Sequence, residues 1–310
     1  MDHQDQDLWI AAGGDLVHLD LLSRVGRIAV FSDGDARCMA GIHPDQPTLG
    51  AIGDWVGPPT ILTAAEGWLA SQGCTEARGP MLLCSWFPHR ANLGPQSTEP
   101  IQFEPTEPGA RWIEAGYSEH SHYLSILAAH EPNIRAGTDQ AAALATSGWS
   151  LRPLEAGLDP RASLEILHGI ATRVFSAEED FTHVDLDVLV HFYHAWLEGL
   201  DPSLSRIAHS PGGDPVGFVL ALPEESVPGR SWFQILSLAV LPEHRHRGLA
   251  GWLVAAAHQA ARRAGIEAGV HALVRADDHS REGKGWYRGD ILRRYALFHK
   301  ALDPQRPTVE

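Results

Sequence analysis

Apolar and polar positions recur along this chain with two different periods, and the changes of period mark out its elements. Residues 160–175 place Leu164, Leu167, Ile170, Ala171 and Val174 at helical spacing. A second helix is predicted over 185–200, ended by Gly199 and Pro202. The apolar runs 204–210 and 216–222 flank Pro211-Gly212-Gly213-Asp214, the signal of a hairpin. Residues 232–241 (WFQILSLAVL) are apolar almost throughout, as a strand buried on both faces requires. Residues 249–264 set Leu249, Trp252, Leu253, Ala256, Ala257 and Ala260 on one helical face, with Gly265 as the stop. Strands over 268–274 and 290–301 follow.

The first half repeats the later part of this order. A strand over 48–56 leads to a helix over 60–72, with Ile61, Ala64, Ala65, Trp68 and Leu69 on one face and Gly73 ending it. Then come a strand over 74–84, a Pro-rich stretch 88–108, a helical turn at 109–116 and an alternating strand at 119–128. The segment 147–158 reads as a linker that feeds a new first strand. The expected fold class is α/β (α+β): two tandem copies of one duplicated unit, 1–146 and 147–304, with a tail at 305–310. Each copy has a mixed, mostly antiparallel sheet flanked by helices.

Composition narrows the function. The chain has 310 residues, 44% apolar and 20% charged, the profile of a globular protein. No apolar run has the length of a membrane span, and the N-terminus is acidic rather than leader-like. Cys38, Cys74 and Cys84 form no C-x-x-C pair, so neither a disulfide framework nor a structural zinc is expected. A cytoplasmic, reduced protein follows, as a monomer or weak homodimer. The net charge of −15 argues against nucleic acid and anionic membrane as partners and suits a cationic substrate, although acidity also serves solubility.

The chemistry concentrates in 236–253, LSLAVLPEHRHRGLAGWL. A buried strand runs into Arg245-His246-Arg247-Gly248-Leu249-Ala250, of form R-x-x-G-x-A, and then into an amphipathic helix. Gly248, Ala250 and Gly251 let backbone approach a diphosphate, and N–H groups converge at the first helical turn, where the dipole favours anions. In this context the chain resembles the GNAT superfamily of N-acetyltransferases over roughly 148–302. The resemblance implies acetyl-CoA as co-substrate and no metal. It implies that the backbone of Leu238, Ala239 and Val240 pairs with the pantetheine arm, and that the amides of Arg245, His246, Arg247, Gly248, Leu249, Ala250 and Gly251 hold the diphosphate. The family's sheet splits at this strand, and a free N–H there would polarise the thioester carbonyl.

Departures from the family bear on catalysis. Asp277-Asp278-His279-Ser280 and REGKGWYRG replace the family's Asn, helical Tyr and Gly-Phe. Tyr287, with Ser280 second, is therefore the candidate to protonate the leaving thiolate. Gln234 stands where the family often has a catalytic Glu, so the base must come from elsewhere. Glu178, Glu179 and Asp180 are candidates to bind a cationic amine, although an acidic loop is more often a solvated face. His191 and His194 share a helical face but lack a third ligand. The first half also resembles the superfamily, as a degenerate copy without the motif, because Pro58 and Pro59 remove amides from the equivalent junction. By resemblance to tandem enzymes such as the mycothiol synthase group, it would shape the cleft. The expected reaction is transfer of an acetyl group to the primary amine of a small molecule. Transfer of a longer acyl group and a non-catalytic acyl-CoA-binding module are the alternatives.

Overall fold

The computed structural model describes residues 9–11, 13, 15–94, 101–154, 160–193, 201–276 and 288–303. Its strands are β1 (Arg27–Asp33), β2 (Ala36–Ile42), β3 (Leu49–Val56), β4 (Glu76–Gly79), β5 (Ala91–Gly94), β6 (Ser118–Ala128), β7 (Ser150–Pro153), β8 (Arg206–His209), β9 (Pro215–Glu224), β10 (Trp232–Val240), β11 (Ala268–Arg275) and β12 (Asp290–Ala301). Its helices are α1 (Leu16–Ser23), α2 (Thr60–Ser71), α3 (Ala110–Glu114), α4 (His130–Thr146), α5 (Pro160–Phe175), α6 (Leu186–Phe192) and α7 (Leu249–Arg263). This is a mixed α/β fold with one large, mostly antiparallel sheet flanked by helices.

The sheet runs β1-β2-β3-β4-β12-β6-β11-β10-β9-β8-β7, with β5 also pairing with β12. The pairings β3–β4 and β10–β11 are parallel. The two halves exchange their last strands. β12, from the end of the chain, lies between β4 and β6, while β6 lies between β12 and β11. Packing follows the exchange. Ala296 and Phe298 of β12 belong to the core built by Ile52, Leu62, Leu69 and Trp112 of the first half. The core of the second half joins Leu167 and Ile170 of α5, Phe218 and Val219 of β9, Phe233 and Ile235 of β10, and Leu249, Leu253 and Ala257 of α7.

Helix α4 is the main element that the apolar period does not announce. Few large apolar residues mark it, and it carries Pro132 and Gly137. It connects the halves and packs along α7 so closely that a Cβ on Gly137 would lie 2.1 Å from the carbonyl oxygen of Gly251. The expected strand over 74–84 shortens to β4 because the chain turns at Gly79 and hydrogen-bonds to itself, Leu82 N to Pro88 O and Arg90 N to Pro80 O. Among the described residues, no helix is long and apolar enough to cross a membrane.

Candidate functional site

β10 and β11 pair only over Trp232–Ile235 and Ala268–His271. Beyond that point β10 continues along β9 to Val240, and β11 turns its hydrogen bonds wholly to β6. The sheet therefore opens into a fork between 236–240 and 272–275. Two irregularities sit at the fork. The β10–β9 register shifts between Ile235 and Ser237, leaving Leu236 as the extra residue of a bulge. Opposite, the β11–β6 register shifts between His271 and Val274, and Leu273 has φ +53°. Leu238, Ala239 and Val240 form the β10 edge of this fork.

The R-x-x-G-x-A loop lies where β10 leaves the fork. A short 3₁₀ turn over Pro242–His244 leads to an extended Arg245. His246 (φ +61°) and Gly248 (φ +89°) are left-handed on either side of Arg247. Alternation of this kind turns successive N–H groups toward one side and makes an anion-binding concavity. The first hydrogen bond of α7 runs from Trp252 N to Gly248 O, so Leu249, Ala250 and Gly251 have N–H groups that the helix does not use. Residues Arg245 to Gly251 thus fit a diphosphate through their backbone. The side chains contribute less: Arg245 Nε donates back to Val240 O at 3.2 Å, and the guanidinium of Arg247 lies 5.8 Å from the Trp149 ring.

The first half supplies much of the rest. Arg90 lies 3.8 Å above the Tyr123 ring, beside Arg275 at the end of β11. Below Leu273, Ser125 Oγ accepts from Leu273 N at 3.2 Å, and the Glu104 carboxylate lies near the same hydroxyl. Glu104 is buried, accepts from Arg293 at 3.2 Å and from the Tyr295 hydroxyl, and its pKa is raised, chiefly by burial. Tyr295 has the buried position expected of a core residue, yet its hydroxyl is engaged with a carboxylate. Gln234 donates to Gln102 O at 2.7 Å and to Glu224, so a buried carboxylate lies directly beside the glutamine. Neither Glu104 nor Glu224 stands in a motif, which is why pattern alone passed over them.

The acidic loop is paired within the chain. Asp180 is buried against Arg78 of β4, Glu179 bonds Arg78 Nη2 at 2.5 Å, and Glu178 bonds Arg275. Trp86 Nε1 donates to Thr182 O at 2.9 Å and Gln46 Nε2 to Glu179 O at 2.8 Å, which ties this loop to the first half. Tyr287 and Ser280 lie outside the described residues, as does His194. His191 lies on α6.

The corresponding junction of the first half also forks. β3 and β4 pair only over Leu49–Ala51 and Glu76–Arg78, and β3 continues to Val56. There, Ile61 N and Leu62 N donate to the carbonyls of Pro58 and Pro59, Arg111 takes Gly57 O at 2.9 Å, and Asp33 and Asp35 line the adjoining cavity. Those carboxylates oppose an anion, and the prolines supply no N–H.

Residues 168–282 match the sequence model of the Acetyltransferase (GNAT) family, a stretch that includes the fork and the loop. No curated protein matches the chain. Several solved structures are similar to it. One is the GCN5-related glucosamine N-acetyltransferase region of a fungal multi-domain GH3 beta-N-acetylglucosaminidase, with TM-score 0.53, 14% identity and coverage of 95% of this chain but 36% of that one. The chain thus spans little more than a third of that protein's length. Another is a conserved protein of unknown function from Enterococcus faecalis V583, described as a probable N-acyltransferase, with TM-score 0.54, 11% identity and coverage of 96% and 70%. A tandem GNAT protein from the clavulanic acid biosynthesis pathway has TM-score 0.45 at 13% identity, covering 94% and 89%. For the first two, at these identities, the likeness is one of fold.

Proposed function

We propose that this chain is an acetyl-CoA-dependent N-acyltransferase whose acceptor is a primary amine of a small molecule. The observation that carries the reading is the meeting of an anion-binding loop with the open fork of the sheet, within the stretch that matches the GNAT family. The amides of Arg245 to Gly251 hold the diphosphate, and the edge Leu238–Val240 pairs with the pantetheine arm. An N–H at the Leu236 bulge polarises the thioester carbonyl. A neutral amine attacks that carbon, the carbon–sulfur bond breaks, and the ammonium proton passes to a base. The thiolate leaves as the free thiol after protonation by Tyr287 or Ser280. Glu104 is the carboxylate that suits the base, because burial raises its pKa and it lies near Ser125, whose hydroxyl accepts from Leu273 N at the fork. The first half has the role of a cleft wall, as in tandem acetyltransferases, and one acetyl-CoA binds per chain.

The test is release of free thiol from acetyl-CoA in the presence of a panel of amines. Turnover with at least one amine, lost in Glu104→Gln and lowered in Tyr287→Phe or Ser280→Ala at unchanged affinity for CoA, supports the assignment. Tight CoA binding without turnover by any amine or acyl-CoA would leave a binding module instead.

A further inference from the structure

Glu76, His120 and His299 stand on three neighbouring strands, β4, β6 and β12, at the place where the two halves exchange strands. We propose that they form a zinc-binding site. One ligand atom of each, a carboxylate oxygen and two imidazole nitrogens, lies within 4.8 Å of the others. His299 Nδ1 and Glu76 Oε1 are 3.7 Å apart. Ligands of a tetrahedral zinc, bound at about 2.0–2.2 Å, are separated by roughly 3.3 Å. Half-buried side chains close that difference by small rotations. Two histidines and one carboxylate are a common zinc donor set, and the fourth position takes water or a further carboxylate. Glu179 is placed to supply that carboxylate, with Oε2 3.5 Å from His120 Nε2.

Two independent features call for a cation here. Among the described residues His120 Nε2 is buried and makes no hydrogen bond, and the carboxylate oxygens nearest to it, on Glu179 and Asp180, stand off at 3.5 and 4.0 Å. A buried ring nitrogen without a partner is costly unless something binds it. The surroundings are also acidic on balance. Four carboxylates, Glu76, Glu178, Glu179 and Asp180, stand among three guanidiniums, those of Arg78, Arg275 and Arg90. A divalent cation is favoured by that surplus and would take a lone pair from each imidazole. The site would clamp the exchanged strand β12 between β4 and β6. Through Glu179 it would also fasten the 176–184 loop of the second half, and it does not depend on the acyltransferase reading.

The experiment titrates metal-free protein with Zn²⁺ against a chromophoric chelator at pH 7.5, with Co²⁺ absorption as a second probe of the ligand set. One equivalent should bind per chain and raise the thermal midpoint. Binding should weaken at least roughly tenfold in each of His120→Ala, His299→Gln and Glu76→Gln. His122→Ala, past the register shift of β6 at His120 and bonded instead to Glu119, should bind as wild type. Circular dichroism of each metal-free variant separates loss of the site from loss of the fold, and His299→Gln keeps most of the side-chain volume. Absence of stoichiometric binding, or equal binding by folded His120→Ala and His299→Gln, would overturn the proposal and leave the cluster as a hydrogen-bonded polar group at the strand exchange.

Discussion

Gln140 lies directly on Gly248: a Cβ built on the glycine would sit 1.5 Å from Gln140 Oε1. The connecting helix α4 therefore borders the 245–251 loop, and its side chain touches the backbone proposed to meet the diphosphate. Gly248 is also left-handed, so a side chain there strains the backbone as well as entering the loop. Substitution at Gly248 thus mixes two effects, and Gln140 separates them. Gln140→Glu adds a carboxylate beside the loop without altering the helix and should weaken CoA binding by roughly tenfold, ~1.4 kcal/mol. Gln140→Ala should stay close to wild type. Calorimetric titration with CoA decides, and equal affinities for Gln140→Glu and wild type would place the diphosphate elsewhere.

Gly137 and Gly251 allow α4 and α7 to touch backbone to backbone. Besides the Gly251 oxygen at 2.1 Å, a Cβ on Gly137 would meet the Ala255 Cβ at 2.5 Å. Gly137→Ala can be accommodated only if the helices move apart. The gain in helix propensity, about 1 kcal/mol, is smaller than the overpacking cost of about 1–3 kcal/mol. Urea unfolding should show net destabilisation, and a stabilised variant would mean that the crossing is loose.

The sequence makes the second half legible because its elements bury one face each. The periods of 160–175, 216–222, 232–241 and 249–264 correspond to α5, β9, β10 and α7. The turn at 245–251 is legible as a turn because Gly248 has the positive φ that glycine tolerates. What stayed hidden was what depends on distant partners. The exchange of β6 and β12 is one such feature, since either neighbour offers a strand the same backbone hydrogen bonds and an apolar face; the alternation expected over 119–128 gives way to four consecutive buried residues, Tyr123–Ile126. Helix α4 was hidden because contact through Gly137 needs no large apolar residue. The acids 178–180 read as solvated in a string of letters, but Arg78 lies about a hundred positions earlier in the chain.

Arg78 and Asp180 test how firmly that loop is held. Both side chains are buried, and Arg78 also holds Glu76 and Glu179. Arg78→Met strands a buried carboxylate and should cost about 3–5 kcal/mol. Asp180→Asn should cost less, because Arg78 keeps two carboxylate partners. Arg78→Met combined with Asp180→Leu should recover part of the loss, since an apolar pair of similar volume needs no compensating charge. Thermal or urea unfolding of the three variants checks the order. An Arg78→Met protein as stable as wild type would show that water, not the guanidinium, satisfies Asp180.

His130, His258 and His271 form a buried chain whose protons are fixed by its end. His130 Nε2 lies 2.8 Å from Ile266 O and must donate to it. Its Nδ1 then accepts from His258 Nδ1 at 3.0 Å, and His258 Nε2 accepts from His271 Nε2 at 2.9 Å. With all three rings neutral every contact is satisfied. An extra proton on His258 would face a proton on its neighbour. The pKa of His258 is pushed down to about 3, by burial first and then by His271 and His130, and burial pushes that of His271 down to about 4. In the unfolded chain both titrate near 6.5. Between 6.5 and those folded values the unfolded chain takes up protons that the folded chain refuses, so stability is full above about pH 6.5 and falls as pH falls. Each fully expressed histidine contributes ~1.4 kcal/mol per pH unit. From pH 7.5 to 5.5 the wild type should therefore lose about 1.4 kcal/mol for each of the two rings. His258→Leu should be less stable at pH 7.5, because it leaves His130 Nδ1 and His271 Nε2 without partners. Its further loss on going to pH 5.5 should be smaller by at least about 1 kcal/mol. Urea unfolding of both proteins at the two pH values gives the comparison, and equal pH-dependent losses would mean that His258 is protonated in the folded protein.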